Sequence, residues 1–346
     1  VRVDLSEPVT AIPRYGIFEI ARMARERADA IHLNLGEPDF GTPAPIREAA
    51  KRAIDDGFTH YTHDAGIPEL RAALAGKLSA FNGMTVDPER EVKVTAGSQE
   101  ALYLTLATIL RPGDEVIVLE PYYPHYVINV VLHGARPVFV HLDEQSGYHL
   151  DPAVLRARLS PRTKAVILNS PMNPLGAVIP EATVRAVAEA IEGTPVVLVS
   201  DEAYERILYD GRRHFSPGAI PEIRDQVVSI FTFSKTYAMT GWRIGYMTAA
   251  PQIIEEAGKL HLAITGYVNS IAQKAALAAL ACEDDVRAMV AEYTERRRIV
   301  AEGLRAIDFL AGDPPEGAFY YFLRVRDGST AMDAATRCIR EAGVVL

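Results

Sequence analysis

The sequence predicts an α/β protein, a mostly parallel sheet flanked by helices with a smaller α+β domain beside it. Three observations carry this. The short apolar runs between residues 91 and 250 are continuous rather than alternating, as strands covered on both faces are. Helical stretches separate those runs, the pattern of parallel strands joined by crossovers. Beyond residue 250 the pattern turns almost wholly helical.

The elements follow in chain order. "AIPRYGIFEI" reads as a helix start, in which Arg14, Tyr15 and Phe18 are better placed to pack than to face a substrate. "TPAPIREAAKRAIDDG" has proline near a helix start, apolar residues at helical spacing and a closing Gly57; "IPELRAALAGKLSAFNG" repeats that grammar through Gly83. Strands are expected at 91–96, 115–120, 136–142, 164–169, 195–202, 227–234 and 243–250. Helices fall near 98–110, 122–133, 152–160 and 181–192, then in "APQIIEEAGKLHLA" and "NSIAQKAALAALA". A charged helix from 284 to about 307 suits a link between domains. The Gly/Pro-rich "AGDPPEGAFYYFLRV" then leads into a strand, and "AMDAATRCIREAG" forms a further helix. This places a large domain at 45–290 and a small one at 1–44 plus 291–346.

Bulk properties narrow the function. The chain has 346 residues, 49% of them hydrophobic and 23% charged, which allows a sizeable core and two domains. A net charge of −9 argues against a surface that tracks nucleic-acid phosphates. No apolar run approaches the ~18 residues of a membrane span, and "VRVDLSEPVT" lacks the regions of a signal peptide. Cys282 and Cys338 have no metal-type spacing and read as reduced thiols. The histidines are scattered, so no metal site is expected; His125, beside the "PYYP" turn, is the one worth watching. A cytoplasmic protein with no nucleic-acid or membrane partner is the expectation. The chain lacks an initiator Met and stops in mid-pattern, so both ends read as incomplete.

In an open α/β sheet, ligands collect at the carboxyl ends of the strands. Unusual residues follow the predicted strands there. "KVTAGSQEAL" offers Gly97, Ser98 and Gln99 at a helix N-terminus, an anion site or an ordinary serine cap. "VLEPYYPHY" carries Tyr122 and Tyr123, either core or a platform for a ring; "ILNSPMNPLG" carries Asn169 and Asn173, turn residues or ligands. In "VVLVSDEAYERI", Asp201 lies behind a nearly continuous apolar run, costly unless a partner compensates it, and Tyr204 follows three residues on. "SIFTFSKTYAMTGWRIGY" sets Lys235 among small and hydroxyl residues with Arg243 eight positions later. A single ligand would use all of these groups: an aromatic aldehyde bearing a phosphate, a phenolic oxygen and a ring nitrogen. Lysine forms a Schiff base with such an aldehyde, and a carboxylate keeps the ring nitrogen protonated.

Seven motifs in order resemble one family: "NLGEPDF", "YTHDAGIPELR", "GSQEAL", "EPYYP", "NSPMNPLG", "SDEAY" and "SKTYAMTGWRIG". The chain resembles fold-type I pyridoxal-phosphate enzymes of the class I/II aminotransferase family throughout its length. The resemblance implies a pyridoxal 5'-phosphate-dependent exchange of an amino group between an L-amino acid and a 2-oxo acid, through a Lys235 aldimine and pyridoxamine phosphate. It makes Lys235, Asp201 and Tyr204 the catalytic residues, with Asp201 facing the ring nitrogen. Tyr204 and Asn173 would contact the phenolic oxygen, and Tyr123 would stack on the ring. Arg243, Ser234, Thr232 and the Gly97–Ser98–Gln99 turn would hold the phosphate. Gly36 would meet the substrate carboxylate through its backbone, with Asn173 beside it. Tyr61 would reach the phosphate of a neighbouring subunit, implying a homodimer with shared active sites.

Three features depart from the family pattern. Leu175 stands where threonine is usual, and Thr232 where serine is common. The family's arginine for the substrate carboxylate falls downstream of "CIREAGVVL", past Leu346; Arg14, Arg324 and Arg326 are present without an assigned role. The runner-up is another reaction of the same cofactor: β- or γ-elimination, cyclisation, decarboxylation or oxidase-like chemistry, since fold does not fix function. A non-catalytic sensor domain is disfavoured by the negative charge and by Lys235. The substrate is not legible in these residues.

Overall fold

A computed structural model describes residues 3–346 except 14 and 28, with only the backbone of 17 and 18. Arg14 and the Phe18 side chain lie outside the described residues. After the two-residue β1 (Ile31–His32), the main sheet is built from β2 (Val92–Thr95), β3 (Glu115–Glu120), β4 (Arg136–His141), β5 (Thr163–Asn169), β6 (Val197–Asp201), β7 (Val227–Thr232) and β8 (Gly245–Thr248). The strand order is β2-β8-β7-β6-β5-β3-β4. Every pairing is parallel except the two made by β8.

Alternation along each strand explains why the runs are apolar throughout. Val116, Val118, Ile167 and Val199 join one core with Leu104 and Leu106 of the helix Ser98–Ile109. Ile117, Leu119, Val166, Leu168 and Leu198 point the other way, into a second core with Val184, Val187 and Ile191 of the helix Glu181–Ile191. Successive side chains of a strand face opposite sides, so a strand between two helical layers needs apolar residues at every position. The helix Pro68–Asn82 ends at Gly83, whose φ of 68° supplies the left-handed cap. The helix Glu283–Leu304 runs across residue 290 and opens with Glu283, Asp284 and Asp285, acidic residues suited to the positive helix end.

The strand expected after the Gly/Pro break is much shorter than the sequence suggests. Two-residue strands β9 (Leu310–Ala311) and β10 (Arg324–Val325) pair antiparallel, and residues 318–323 lie outside any strand. Their aromatic side chains do other work: Phe319 stacks on Tyr293 and meets Tyr204 edge-on. The helix Ala331–Arg337 opens with a Thr330–Asp333 capping box. It runs on without a break into a wider helical turn at Cys338–Ala342 and closes at Gly343, so the closing helix expected there forms with a change of pitch. Strand β11 (Val344–Val345) pairs parallel with β1. Ile20, Ala24, Ile339 and Val345 form a small core of their own, joining residues from both ends of the chain. Among the described residues, no helix is long and apolar enough to cross a membrane.

One buried polar network anchors the chain just past β6. Glu202 Oε2 lies 2.7 Å from His214 Nε2 and accepts the Ser216 hydroxyl at 2.5 Å. Asn82 Nδ2 donates to Ser216 Oγ at 2.8 Å and to Glu205 Oε2 at 2.7 Å, and Lys77 pairs with Glu205. Glu202, Glu205 and His214 are close enough to share a cation, but Lys77, Asn82 and Ser216 already bond to the Glu205 and Glu202 carboxylates. Burial alone would raise the Glu202 carboxyl; the bond to His214 and its charge reverse this and hold it below its ordinary value.

Breaking a buried pair is far costlier than the pair itself is stabilising. His214→Ala should therefore lower stability by about 3–5 kcal/mol, read as a fall in the urea midpoint at pH 7. A loss under ~1 kcal/mol would mean that Glu202 is satisfied without the imidazole. A folded-state value below the ordinary 4.5 means the pair's contribution is present above that pH and lost as pH falls further. Wild-type stability should then drop more steeply in acid than that of the variant.

Candidate active site

Strands β2, β3, β5, β6 and β7 run in one direction, so their carboxyl ends line one edge of the sheet. Strand β8 runs the opposite way, so its start, just after Arg243, meets the same edge: Gly245 pairs with both Thr95 and Thr232. Asn169 is in register with Asp201. This edge brings Gly97, Ser98, Gln99, Tyr123, Asn169, Asn173, Asp201, Tyr204, Thr232, Ser234, Lys235 and Arg243 into one region, although they come from six separate stretches of sequence.

One part of the edge is shaped for an anion. Gly97 has φ +88°, and a Cβ there would lie 2.8 Å from Arg243 Nη2. Only glycine leaves room for the guanidinium while adopting that conformation. A Cβ on Gly245 would lie 2.6 Å from the Phe231 carbonyl and 2.9 Å from the Ser98 amide, so β8 also approaches this turn because it begins with glycine. The helix from Ser98 points its free N–H groups and positive end into the space between. Thr232 Oγ1 accepts the Ser234 amide at 3.1 Å and donates to Ser234 Oγ at 2.9 Å, fixing both hydroxyls. Glu100 holds the turn from behind. Its carboxylate accepts the Ala96 amide at 2.5 Å, lies 2.8 Å from His261 Nδ1 and accepts the Thr265 hydroxyl.

The other part is shaped for a reactive, nitrogen-bearing ring. Lys235 donates to the Gly36 carbonyl, and burial lowers its pKa, opposed by Glu37 and Asp201. Asp201 is buried and its pKa is raised, because desolvation outweighs the bonds from Tyr126 Oη at 2.7 Å and the Ala203 amide at 3.1 Å. Asn169 donates to the Asp201 carbonyl at 3.0 Å and accepts the Asn173 amide at 2.6 Å, tying the two loops together. Asn173 Nδ2 donates at 3.3 Å to both Tyr204 Oη and Tyr320 Oη. Tyr123 receives a bond from Gln99 Nε2 at 3.3 Å, and burial next to Asp201 pushes its hydroxyl up to about 12. The ring of His125 lies 4.9 Å from that of Tyr123.

Not every predicted residue joins this group. Tyr61 is 86% exposed, with its ring 4.6 Å from that of Tyr267. Tyr15 Oη donates to the Pro124 carbonyl at 3.5 Å, and Arg324 pairs with Glu144 at 2.9 Å. Leu175 is buried and leaves the Asn173 side chain at Tyr204. Conversely, Tyr126, Glu100 and Tyr320 belong to the site and escaped the sequence reading. The aromatic pair after β3 hinted at the first, and the Glu100 after Gln99 at the second. Nothing local marked Tyr320 among its aromatic neighbours.

A desolvated amine, a desolvated carboxylate, paired amide and phenol donors and a glycine-shaped anion cradle match the groups of pyridoxal phosphate one for one. Known proteins agree. The sequence profile described as "Aminotransferase class I and II" matches residues 28–346. The aspartate aminotransferase of Pyrococcus horikoshii is 38% identical over 321 residues, covering 92% of this chain and 81% of that protein. The aspartate/prephenate aminotransferase of Thermus thermophilus is 40% identical over 328 residues, 94% of this chain and 84% of its own. A solved structure of a single mutant of Thermus thermophilus aspartate aminotransferase superposes with a TM-score of 0.93 at 39% identity, covering 99% of this chain and 91% of that one. The chain therefore belongs to the class I and II aminotransferase family and is a pyridoxal phosphate-dependent aminotransferase of fold type I.

Proposed function

We propose that Lys235 is the nucleophile and proton carrier of the transamination, with Asp201 and Tyr204 as its catalytic partners. The observation that carries this reading is the meeting, at one sheet edge, of a lysine and an aspartate whose pKa values burial displaces toward their neutral forms. When bound, pyridoxal phosphate supplies the aldehyde and the electron-withdrawing ring. Burial keeps a larger share of the Lys235 amine unprotonated than in an exposed lysine, as an attacking group and a base require. Asp201 is a desolvated carboxylate that gains from a cationic neighbour, so it would hold a proton on the ring nitrogen. Tyr204 would donate to the phenolic oxygen with Asn173 in contact beside it, and Tyr123 would cover the ring face. Gly97, Ser98, Gln99, Thr232, Ser234 and Arg243 would hold the phosphate, with Arg243 supplying a charge-assisted bond. Gly36 and Asn173 would line the place of the substrate carboxylate.

We further infer a homodimer in which Tyr61 reaches the neighbouring subunit's phosphate. Its outward ring, tilted against that of Tyr267, supports that reading. A large domain at 45–290 and a small one at 1–44 plus 291–346 are likewise proposed, supported by the core that unites Ile20 and Ala24 with Ile339 and Val345. Free Cys282 and Cys338 are in keeping with a cytoplasmic enzyme. The names of the relatives make aspartate the first donor to try.

The purified protein should show an absorbance band of bound cofactor that bleaches with an amino-acid donor and returns with a 2-oxo acid. Lys235→Ala should lose this cycle while still binding the cofactor. Turnover without an acceptor, releasing ammonia, would instead assign an elimination. Asp201→Asn should cut kcat by ~10²-fold or more, the scale for losing one electrostatic partner of the reacting group, with the fold intact by circular dichroism; near-wild-type kcat would remove Asp201 from the chemistry. Sedimentation should give a dimer, and Tyr61→Phe should weaken cofactor retention. A monomer with full activity would rule out the shared site.

A further inference from the structure

Tyr204 and Tyr320 form the shortest contact between side chains of the ring-binding region, Oη to Oη 2.5 Å, with rings edge-on at 81°. Each oxygen also receives a bond from Asn173 Nδ2 at 3.3 Å. Burial pushes both hydroxyls above the ordinary tyrosine range, so both are neutral phenols at physiological pH. A neutral phenol has one proton to donate and two lone pairs with which to accept. The protons in this cluster can therefore be counted.

Among the described contacts, Tyr320 Oη touches only Tyr204 Oη and Asn173 Nδ2, and the amide nitrogen is a donor. The only acceptor in reach of the Tyr320 proton is thus Tyr204. Tyr204 Oη then accepts from Tyr320 and from Asn173, and its own proton is left over. A residue offering that proton to a ligand oxygen needs this arrangement. With the Tyr204–Tyr320 bond reversed, Tyr204 would have nothing to donate.

The chain also makes room for Tyr320. A Cβ on Gly36 would lie 2.3 Å from Tyr320 Oη, so any other residue at 36 would push the hydroxyl away from Tyr204. Gly36 is the residue whose carbonyl accepts from Lys235. The glycine therefore has a second reason to be there besides exposing its backbone.

We infer that Tyr320 is a positioning residue: its hydroxyl donates to Tyr204 and thereby commits the single Tyr204 proton to the phenolic oxygen of the cofactor. This rests on the reading that Tyr204 serves that oxygen. A donor at the phenolic oxygen stabilises negative charge there and weakens its hold on the proton shared with the neighbouring nitrogen. Losing the donor, or letting its proton turn away, raises the pH at which the bound cofactor's absorbance titrates.

The test is a double-mutant cycle on the cofactor-loaded enzyme, read by the midpoint of the pH-dependent absorbance and not by turnover. Tyr320→Phe should raise the midpoint by about half to one pH unit, the scale of one neutral hydrogen bond. Tyr204→Phe should raise it further, and adding Tyr320→Phe to Tyr204→Phe should change it no more, because the first acts through the second. A single cooperative thermal transition in each cofactor-free variant would confirm that it folds. If Tyr204→Phe shifts the midpoint and Tyr320→Phe does not, or if the two shifts add, the inference about Tyr320 falls while that about Tyr204 stands. If Tyr204→Phe itself shifts nothing, the assignment of Tyr204 fails and that of Tyr320 fails with it.

Discussion

A carboxylate buried at the end of an apolar strand sets a demand that the rest of this site meets. Every residue of β6 is buried, and Asp201 closes it. Taking an ionised carboxylate out of water costs several kcal/mol unless partners replace the lost solvation. Tyr126 and the Ala203 amide replace part of it, and burial still leaves the carboxyl above its ordinary pKa. A protein keeps such a group where a ligand of opposite charge completes its solvation. The neighbouring features fit that requirement: Asn169 pins the Asp201 backbone, and Lys235 lies within electrostatic reach.

The sheet's one reversed strand gives the anion cradle its form. Were β8 parallel to β7, Arg243 would precede it at the opposite edge, far from the amides of the helix at Ser98. Running antiparallel between β2 and β7, β8 delivers Arg243 to the carboxyl edge and sets Gly245 against Thr95 and Thr232. Two glycines make the approach possible from both sides, Gly97 for the guanidinium and Gly245 for the backbone. Arg243 itself has φ +50°, a left-handed conformation unusual for a residue with a side chain, two residues before the strand begins. The local cost is part of delivering a cation to this corner.

How much of this was legible depended on whether a residue broke its local pattern. The seven main strands were readable because two-sided burial leaves a continuous apolar run, and their order was not, because periodicity says nothing of which run lies beside which. Asp201 stood out as a charge behind an apolar run, and Lys235 as a lone lysine among small and hydroxyl residues. Tyr126 and Tyr320 did not, since a tyrosine among aromatic residues is equally at home in a core. Their roles exist only through contacts 75 and 147 residues away in sequence, to Asp201 and Asn173. The segment around Tyr320 misled for the same reason: its aromatic run has strand-like composition, but its side chains are claimed by Tyr204 and Tyr293. Tyr61 was recognised by motif, while its place against Tyr267 could come only from the fold.

Asp201 and Glu202 show what separates a site from a strut. They are consecutive in sequence and both are buried, at 8% and 1% exposure, so desolvation pushes both carboxyls up. The outcomes nevertheless have opposite sign. Glu202 meets an imidazole and a serine hydroxyl through one carboxylate oxygen, and ends below its ordinary pKa, a group that fastens the chain. Asp201 meets a phenol and an amide, both neutral, and ends above its ordinary value. Burial is common to the two, so burial alone does not identify a functional carboxylate. The deciding difference is the set of partners in contact: for Glu202 the bonds with His214 and Ser216 outweigh desolvation, and for Asp201 those with Tyr126 and the Ala203 amide do not. That is the physical reason to read Asp201, and not its neighbour, as the group that awaits a protonated ring nitrogen.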